Sequence, residues 1–439
     1  MILDVLDADS RAGRRAVERL IRRGETVLDE KTLRRAGRIV SDVRTKGDRA
    51  LVEYACKLDG AVLAAGKSAA GLALVPADDS AVAAAELPAG FAEALERSIA
   101  AVERFHAPQA RTGYRLEEEG VELEELVTPL RRVGVYVPGG RAAYPSTVVM
   151  TVVPARVAGV REIAVATPPG SYRSNAALRY TLQRLEITEI WGMGGAHAVA
   201  AFAYGTETVR RVDKIVGPGN AWVTAAKKIV AGDVAIDGIA GPSEVLIIAD
   251  GTADPGVDPG DLAADLLAQA EHDPRAAAVL ITTGKKLAKR VVREVEEQLG
   301  RLATAETARA SLKNFGAVLL VESMAEAAVL ADRIAPEHLQ LVGPAAEALA
   351  ERIANAGAVF LGGSTPEVFG DYIAGPSHVL PTCGSARFAS ALGVEDFLRR
   401  SHRVRFSRTA AAHRASAAAV LADAEGLPAH AAAARRRLG

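Results

Sequence analysis

Apolar and polar positions along this chain follow two different periods, and the switch between them outlines the architecture. Over residues 1 to 110 the helical period dominates: "KTLRRAGRIVSDVRTKGDRALVEYACKL" repeats apolar residues at helical spacing, and Gly60 follows its end. A strand pair is expected around "YRLEEEGVELEELVTPL". From 131 onward short apolar runs end in Gly or Pro, as in "VGVYVPGG", "EIAVATPP", "TEIWGMGG" and "DKIVGPGN", with helix-like stretches between them. That alternation predicts a parallel sheet. A second set begins at Ser243 with "SEVLIIAD", "AAVLITT", "GAVLLVES", "HLQLVGP" and "GAVFLGG". Two α/β units of similar build follow from this pattern. The stretch after "ASALGVEDFLRR" reads as a helical appendage, divided in two at Gly426-Leu427-Pro428.

With 439 residues and 49% hydrophobic composition, the chain is long enough for more than one core. Lys plus Arg (53) nearly balance Asp plus Glu (54), and a net charge of -1 offers no field for nucleic acid or an anionic membrane. A small-molecule partner is expected. The two cysteines, Cys56 and Cys383, are far apart in sequence and support neither a disulfide framework nor a Cys-rich zinc site. The start, "MILDVLDADSRAGRRAVERL", is charged throughout, and no run reaches the ~18 apolar residues of a membrane span. A soluble protein of the reducing cytoplasm is expected.

Candidate chemistry gathers in the loops. In "QAEHDP", Gln269 and His272 share one helix face just before Asp273-Pro274 stops the helix; the plain alternative is a solvated last turn. "IAPEHLQLV" sets Glu337 beside His338 at a strand mouth, where an acid and an imidazole can divide proton transfers, or form a surface pair with His338 packed under a loop. "VFGDYIAGPSHVLPT" adds Asp371 and His378. Gln269, His272, Asp371 and one further histidine would make a mixed nitrogen and oxygen site for a borderline metal such as zinc. No H-E-x-x-H motif is present, which argues against a zinc peptidase, and no loop matches the G-x-G-x-x-G dinucleotide fingerprint. "GMGGAHAVAAFAYG" comes nearest to it.

Seven stretches, "YVPGG", "GPGNAWVTAAK", "AGPSEVLIIAD", "QAEHDP", "APEHLQL", "GDYIAGPSHVLPT" and "EGLPAH", run in order from Tyr136 to His430 and resemble the histidinol dehydrogenase family. The resemblance implies that Gln269, His272, Asp371 and His430 ligate one zinc ion per subunit, and that Glu337 and His338 are the acid-base pair. It implies that Ser243 and Glu425 contact the amino alcohol substrate, in a site also lined by Gln269, His272, His338, Asp371 and His430. Tyr136 and Asn220 would line the NAD site, with His197 standing where the family carries a glutamine. Pro376 departs from the commoner Gly-Thr-Asn-His and removes a backbone donor beside His378.

The implied reaction takes L-histidinol through L-histidinal to L-histidine with reduction of two NAD. The implied fold is two incomplete Rossmann-like α/β parallel-sheet domains in an arm-exchanged homodimer. Its expected boundaries are a helical arm at 1–30, a discontinuous domain at 31–135 and 243–391 holding the metal and catalytic residues, an inserted NAD domain at 136–242, and a helical arm at 392–439. Two other readings stay open: a related zinc- and NAD-dependent dehydrogenase of another small polar alcohol, and a non-catalytic, metal-stabilised binding protein.

Overall fold

A computed structural model describes residues 2–61, 68–74, 86–139, 144–251 and 257–438. Two six-stranded sheets carry the fold. In the first, all strands are parallel and lie in the order Val5–Asp7, Ala317–Leu320, Ala277–Thr282, Glu244–Ala249, His338–Val342, Ala358–Leu361. Its central strands, "EVLIIA" and "AAVLIT", are buried along their whole length, as continuous apolar runs covered on both faces must be.

The second sheet runs Ala73–Leu74, Glu189–Gly192, Glu162–Thr167, Arg132–Tyr136, Lys214–Val216, Ala235–Ile236. It is parallel except for the short antiparallel edge at Ala73–Leu74. The α/β alternation expected from 131 and from 243 is therefore present in both units.

The expected domain boundaries need correction. The helices Glu30–Lys46 and Asp48–Asp59 bury Ala36, Ile39, Val40, Val43, Leu51 and Ala55 with residues 196–203 and 223–230, on the second sheet and not the first. Arg132–Tyr136 is itself a central strand of that second sheet. Residues 31–135 thus pack largely with 136–242. Conversely, the segment 1–30 is no free arm, because Val5–Asp7 pairs with Ala317–Leu320 and the helix Arg11–Ile21 packs into the core of the first sheet. Periodicity marks which face of a helix is apolar; it does not say which sheet that face meets. The corner between the two helices is made by Gly47 at φ 54, where a Cβ would collide with the Glu207 carboxylate.

The expected strand pair appears as Arg115–Glu118 and Val121–Pro129, turned at Glu119 and Gly120, both at positive φ. Leu398–Phe406 adds a third antiparallel strand, so the carboxyl-terminal piece is not helical throughout. Its alternation is mostly of charge, with Arg403 bridging to Glu124 across the pair at 2.9 Å, and apolar periodicity is blind to such a strand. The helices Arg408–Ala424 and Pro428–Arg435 then form a hairpin whose buried contacts are made by Ala419, Ala422 and Ala431. Among the described residues no helix is long and apolar enough to cross a membrane.

Candidate active site

The first sheet presents its chemistry at the amino ends of its strands. Register sets Glu244 beside Ala277 and Val245 beside His338, so Glu244 and His338 each open a strand in neighbouring positions. The turn before His338 is shaped by Ala335 at φ 51. From the side, the helix Pro259–Ala270, capped by Asp258 with Pro259 at its first position, carries the fully buried Gln269 in its last turn. The helix Glu367–Tyr372 closes over the cluster with Glu367 (1% exposed) and Asp371.

Around His338, Nδ1 lies 3.1 Å from the Glu244 carbonyl oxygen, 3.2 Å from Gln269 Oε1 and 3.4 Å from Glu367 Oε2. The Glu244 carbonyl can only accept, so Nδ1 carries the proton and Nε2 keeps its lone pair. Burial pushes His338 down to about 4, so the imidazole is neutral near pH 7. Glu337 is driven the other way: burial first, then the Glu244 carboxylate, holds it well above the ordinary carboxylate range, while its Oε2 accepts from the Glu244 amide at 3.0 Å. Glu367 is raised by burial and by Asp371 and Glu337, and its Oε2 makes no hydrogen bond. A base with raised affinity for protons beside a neutral imidazole is an arrangement suited to proton transfer.

Three of the expected metal ligands, Gln269, His272 and Asp371, lie in the neighbourhood of His338 and His378. Gln269 is enclosed, His272 is exposed at the helix end, and Asp371 is half-buried, 3.7 Å from His378 Nδ1. His272 is near enough for its charge to depress both His338 and His378, and Asp371 to raise both. The expected shared helix face is not formed: the helix ends at Ala270, so Gln269 is buried in its last turn while His272 lies in the turn beyond it and is solvated. Gln269 Oε1 accepts from His338 Nδ1 at 3.2 Å, while its Nε2 is a buried polar atom with no hydrogen bond, so the amide sits enclosed beside the cluster with hydrogen-bonding capacity to spare. The donor set fits zinc in type.

His430 and Glu425 stand apart, exposed on the carboxyl-terminal hairpin. Among the described residues no group of three or more His, Cys, Asp and Glu is placed to hold a metal within this chain. Ser243 is half-buried, and its carbonyl accepts from Arg23 at 2.9 Å. The loop containing Pro376 is held by Ser377, whose hydroxyl donates to Met150 O at 3.0 Å and accepts from Val379 N at 3.2 Å. The Cys383 thiol is pushed up to about 12 by burial and the nearby Glu244 carboxylate, and so is no ready nucleophile.

The expected cofactor residues sit at the carboxyl ends of the second sheet's strands. Asn220 is exposed and caps the helix Ala221–Val230, accepting from Trp222 N at 3.0 Å and Val223 N at 3.3 Å. Tyr136 is buried, its hydroxyl accepting from Gly195 N at 3.1 Å. Gly140 of "YVPGG" lies outside the described residues.

His197, expected among the cofactor residues, lies inside the second unit. It is wholly enclosed, with Nε2 2.8 Å from Asp59 Oδ2 and its ring stacked on Tyr54. Asp59 in turn accepts from Gly194 N at 2.7 Å.

Sequence reasoning missed Glu244, Glu367 and Arg23. Glu244 had a signal, a lone acid opening a run of apolar strand residues; Glu367 and Arg23 had none.

The family model described as histidinol dehydrogenase matches residues 22–438. A histidinol dehydrogenase of Aquifex aeolicus is 45% identical over 422 residues, covering 96% of each chain. Histidinol dehydrogenase 2 of a Nostoc species is 45% identical over 91% of each. The crystal structure of histidinol dehydrogenase from Elizabethkingia anophelis superposes with a TM-score of 0.88 at 33% identity, covering 100% of this chain and 98% of that one.

Proposed function

Because this chain belongs to the histidinol dehydrogenase family, we propose that it oxidises L-histidinol through enclosed L-histidinal to L-histidine, with two NAD molecules reduced in succession. The observation that carries the chemistry is the enclosed pair at the start of one strand, Glu337 with raised proton affinity and His338 with a free Nε2. In the first oxidation His338 Nε2 takes the hydroxyl proton of the substrate as its carbinol carbon gives up hydride. In the second, Glu337 takes a proton from water as the oxygen adds to the aldehyde carbon, and His338 takes the hydroxyl proton of the hydrate as hydride leaves again. The enclosure keeps the aldehyde between steps.

Gln269, His272, Asp371 and His430 of the partner subunit would hold one zinc ion, whose positive charge would fix the substrate's imidazole and amine. Ser243, His338 and Glu425 complete the substrate's surroundings. Asn220 would contact the NAD, and Tyr136, which accepts from Gly195 N, and His197, which pairs with the Asp59 that accepts from Gly194 N, would support the glycine turn on the cofactor side.

The shared site is supported by what the single chain leaves open. Glu425 and His430 are exposed, and Leu116, Leu123 and Val404 are paired in one row across the three-stranded sheet yet are 55%, 41% and 59% exposed. A second copy with exchanged carboxyl-terminal arms would cover such a row.

The test is NADH formation from L-histidinol with and without a chelator. Two NADH per histidinol are expected, abolished by chelation while the far-ultraviolet circular dichroism is kept, since both sheets have cores of their own. Negligible histidinol turnover alongside rapid oxidation of another polar alcohol would assign a different substrate. Binding of zinc and histidinol with no NADH at all would make the protein a binding module.

A further inference from the structure

One buried polar connection in this molecule serves none of the roles above. Arg23 lies in the short turn Arg22–Thr26, remote in sequence from the catalytic loops, yet its side chain is enclosed at 2% exposure. Its guanidinium pairs with the Glu244 carboxylate and donates to the carbonyl oxygens of Pro242 and, at 2.9 Å, Ser243. The other Glu244 oxygen accepts from Cys383 N at 2.7 Å. The Glu244 amide N–H is the group that donates to Glu337 Oε2 at 3.0 Å.

We propose that Arg23 is a positioning residue for Glu337: it locks the Pro242–Glu244 backbone so that the Glu244 amide aims the Glu337 carboxylate at the substrate. A backbone amide orients a carboxylate only as well as its own peptide plane is fixed. That plane is anchored at its own carbonyl, where Ser243 O accepts from Ala277 N of the sheet at 3.0 Å and also from Arg23 at 2.9 Å. Arg23 extends the anchoring to Pro242 O before it and the Glu244 side chain after it, so three consecutive residues are tied to one guanidinium.

Stability alone is a poor reason for such a pair, since well-packed apolar residues of similar volume hold a fold as well as a buried ion pair or better. Arg23 also has the planar fork this task needs, where a lysine could not reach three acceptors at fixed angles. The same lock sets Ser243, the residue expected against the amino alcohol.

The inference rests on Glu337 serving the aldehyde step, and two assays on the full-length, zinc-loaded enzyme separate that step from the other. NAD-dependent oxidation of histidinal requires the activated water. NADH-driven reduction of histidinal is the alcohol step run backwards and does not. Arg23→Met should lose at least ~10-fold more kcat in histidinal oxidation than in its reduction, because shifting a reacting group by about 1 Å can cost on the order of 10²-fold.

The double variant Arg23→Met/Glu244→Met removes both buried charges, should melt close to the parent protein, and should show the same selective loss. Equal losses in both directions, or a double variant that oxidises histidinal normally, would show the pair to be structural only and overturn the proposal. Glu337→Gln is the companion measurement. A selective loss there with none in the Arg23 variants sinks the positioning role alone, whereas equal losses in Glu337→Gln sink the reading of Glu337 on which it rests.

Discussion

The amino ends of the first sheet and the carboxyl-terminal hairpin carry the two halves of one proposed zinc set, and they are built in opposite ways. At the sheet, Gln269, Glu337, His338 and Glu367 are enclosed, and polar atoms such as Gln269 Nε2 and Glu367 Oε2 are left without partners. On the hairpin, Glu425 and His430 are exposed, and the helices bury little beyond Ala419, Ala422 and Ala431. Enclosure displaces proton affinities and fixes directions, at the cost of polar atoms that the protein's own groups leave without hydrogen bonds. A hairpin that adds almost nothing to its own core is free to complete the site of another copy.

The sharpest way to break this comparison is to separate the halves genetically. Coexpression of Gln269→Ala and His430→Ala chains gives mixed dimers; with exchanged arms, one site collects both defects and the other none. Each homodimer should be inactive and the isolated mixed dimer should recover activity at one site of its two. A verified mixed dimer that stays inactive would place both halves in the same chain, and a monomer on sizing at assay concentration would end the idea sooner.

A smaller effect is expected at the second sheet, where His197 works from beneath the turn. His197→Gln should change the Michaelis constant for NAD by about 5-fold, the scale of one hydrogen bond, and leave that for histidinol in place. A change confined to histidinol would mean the cofactor lies elsewhere.

Least affected should be Cys383. With its thiol pushed up to about 12, the protonated form persists through neutral and mildly alkaline pH, and the thiolate accumulates only as pH approaches that value. Iodoacetamide at pH 8 should therefore label the exposed Cys56 and spare Cys383, and Cys383→Ser should keep histidinal oxidation. Fast labelling of Cys383 with parallel loss of aldehyde oxidation would replace the water mechanism by a thiol one.

Much of the site was legible along the chain because its residues arrive in short motifs. Gln269 with His272 and Glu337 with His338 each needed only local spacing to be singled out. The remainder depends on contacts between segments far apart. Arg23 meets Glu244 across 221 positions and His197 meets Asp59 across 138, and no window of sequence holds either pair. The resemblance put His197 among the cofactor residues, and its enclosure beside Asp59, at the end of another helix, could not be read from the chain.

The chain's own pattern fixed the two α/β alternations, the placing of Glu337 and His338 at a strand mouth, and the family, since these follow from residue type and local period, while Asp371, expected in a loop, lies in the helix Glu367–Tyr372. Only the tertiary structure decided that the helices of 30–59 lie on the second sheet, that Val5–Asp7 is the edge of the first, and that Glu337 and His338 are enclosed with displaced proton affinities. The reason is physical. Periodicity encodes that a surface must be buried, while the partner that buries it, and the desolvation felt by a charged group there, are properties of chain segments meeting in space.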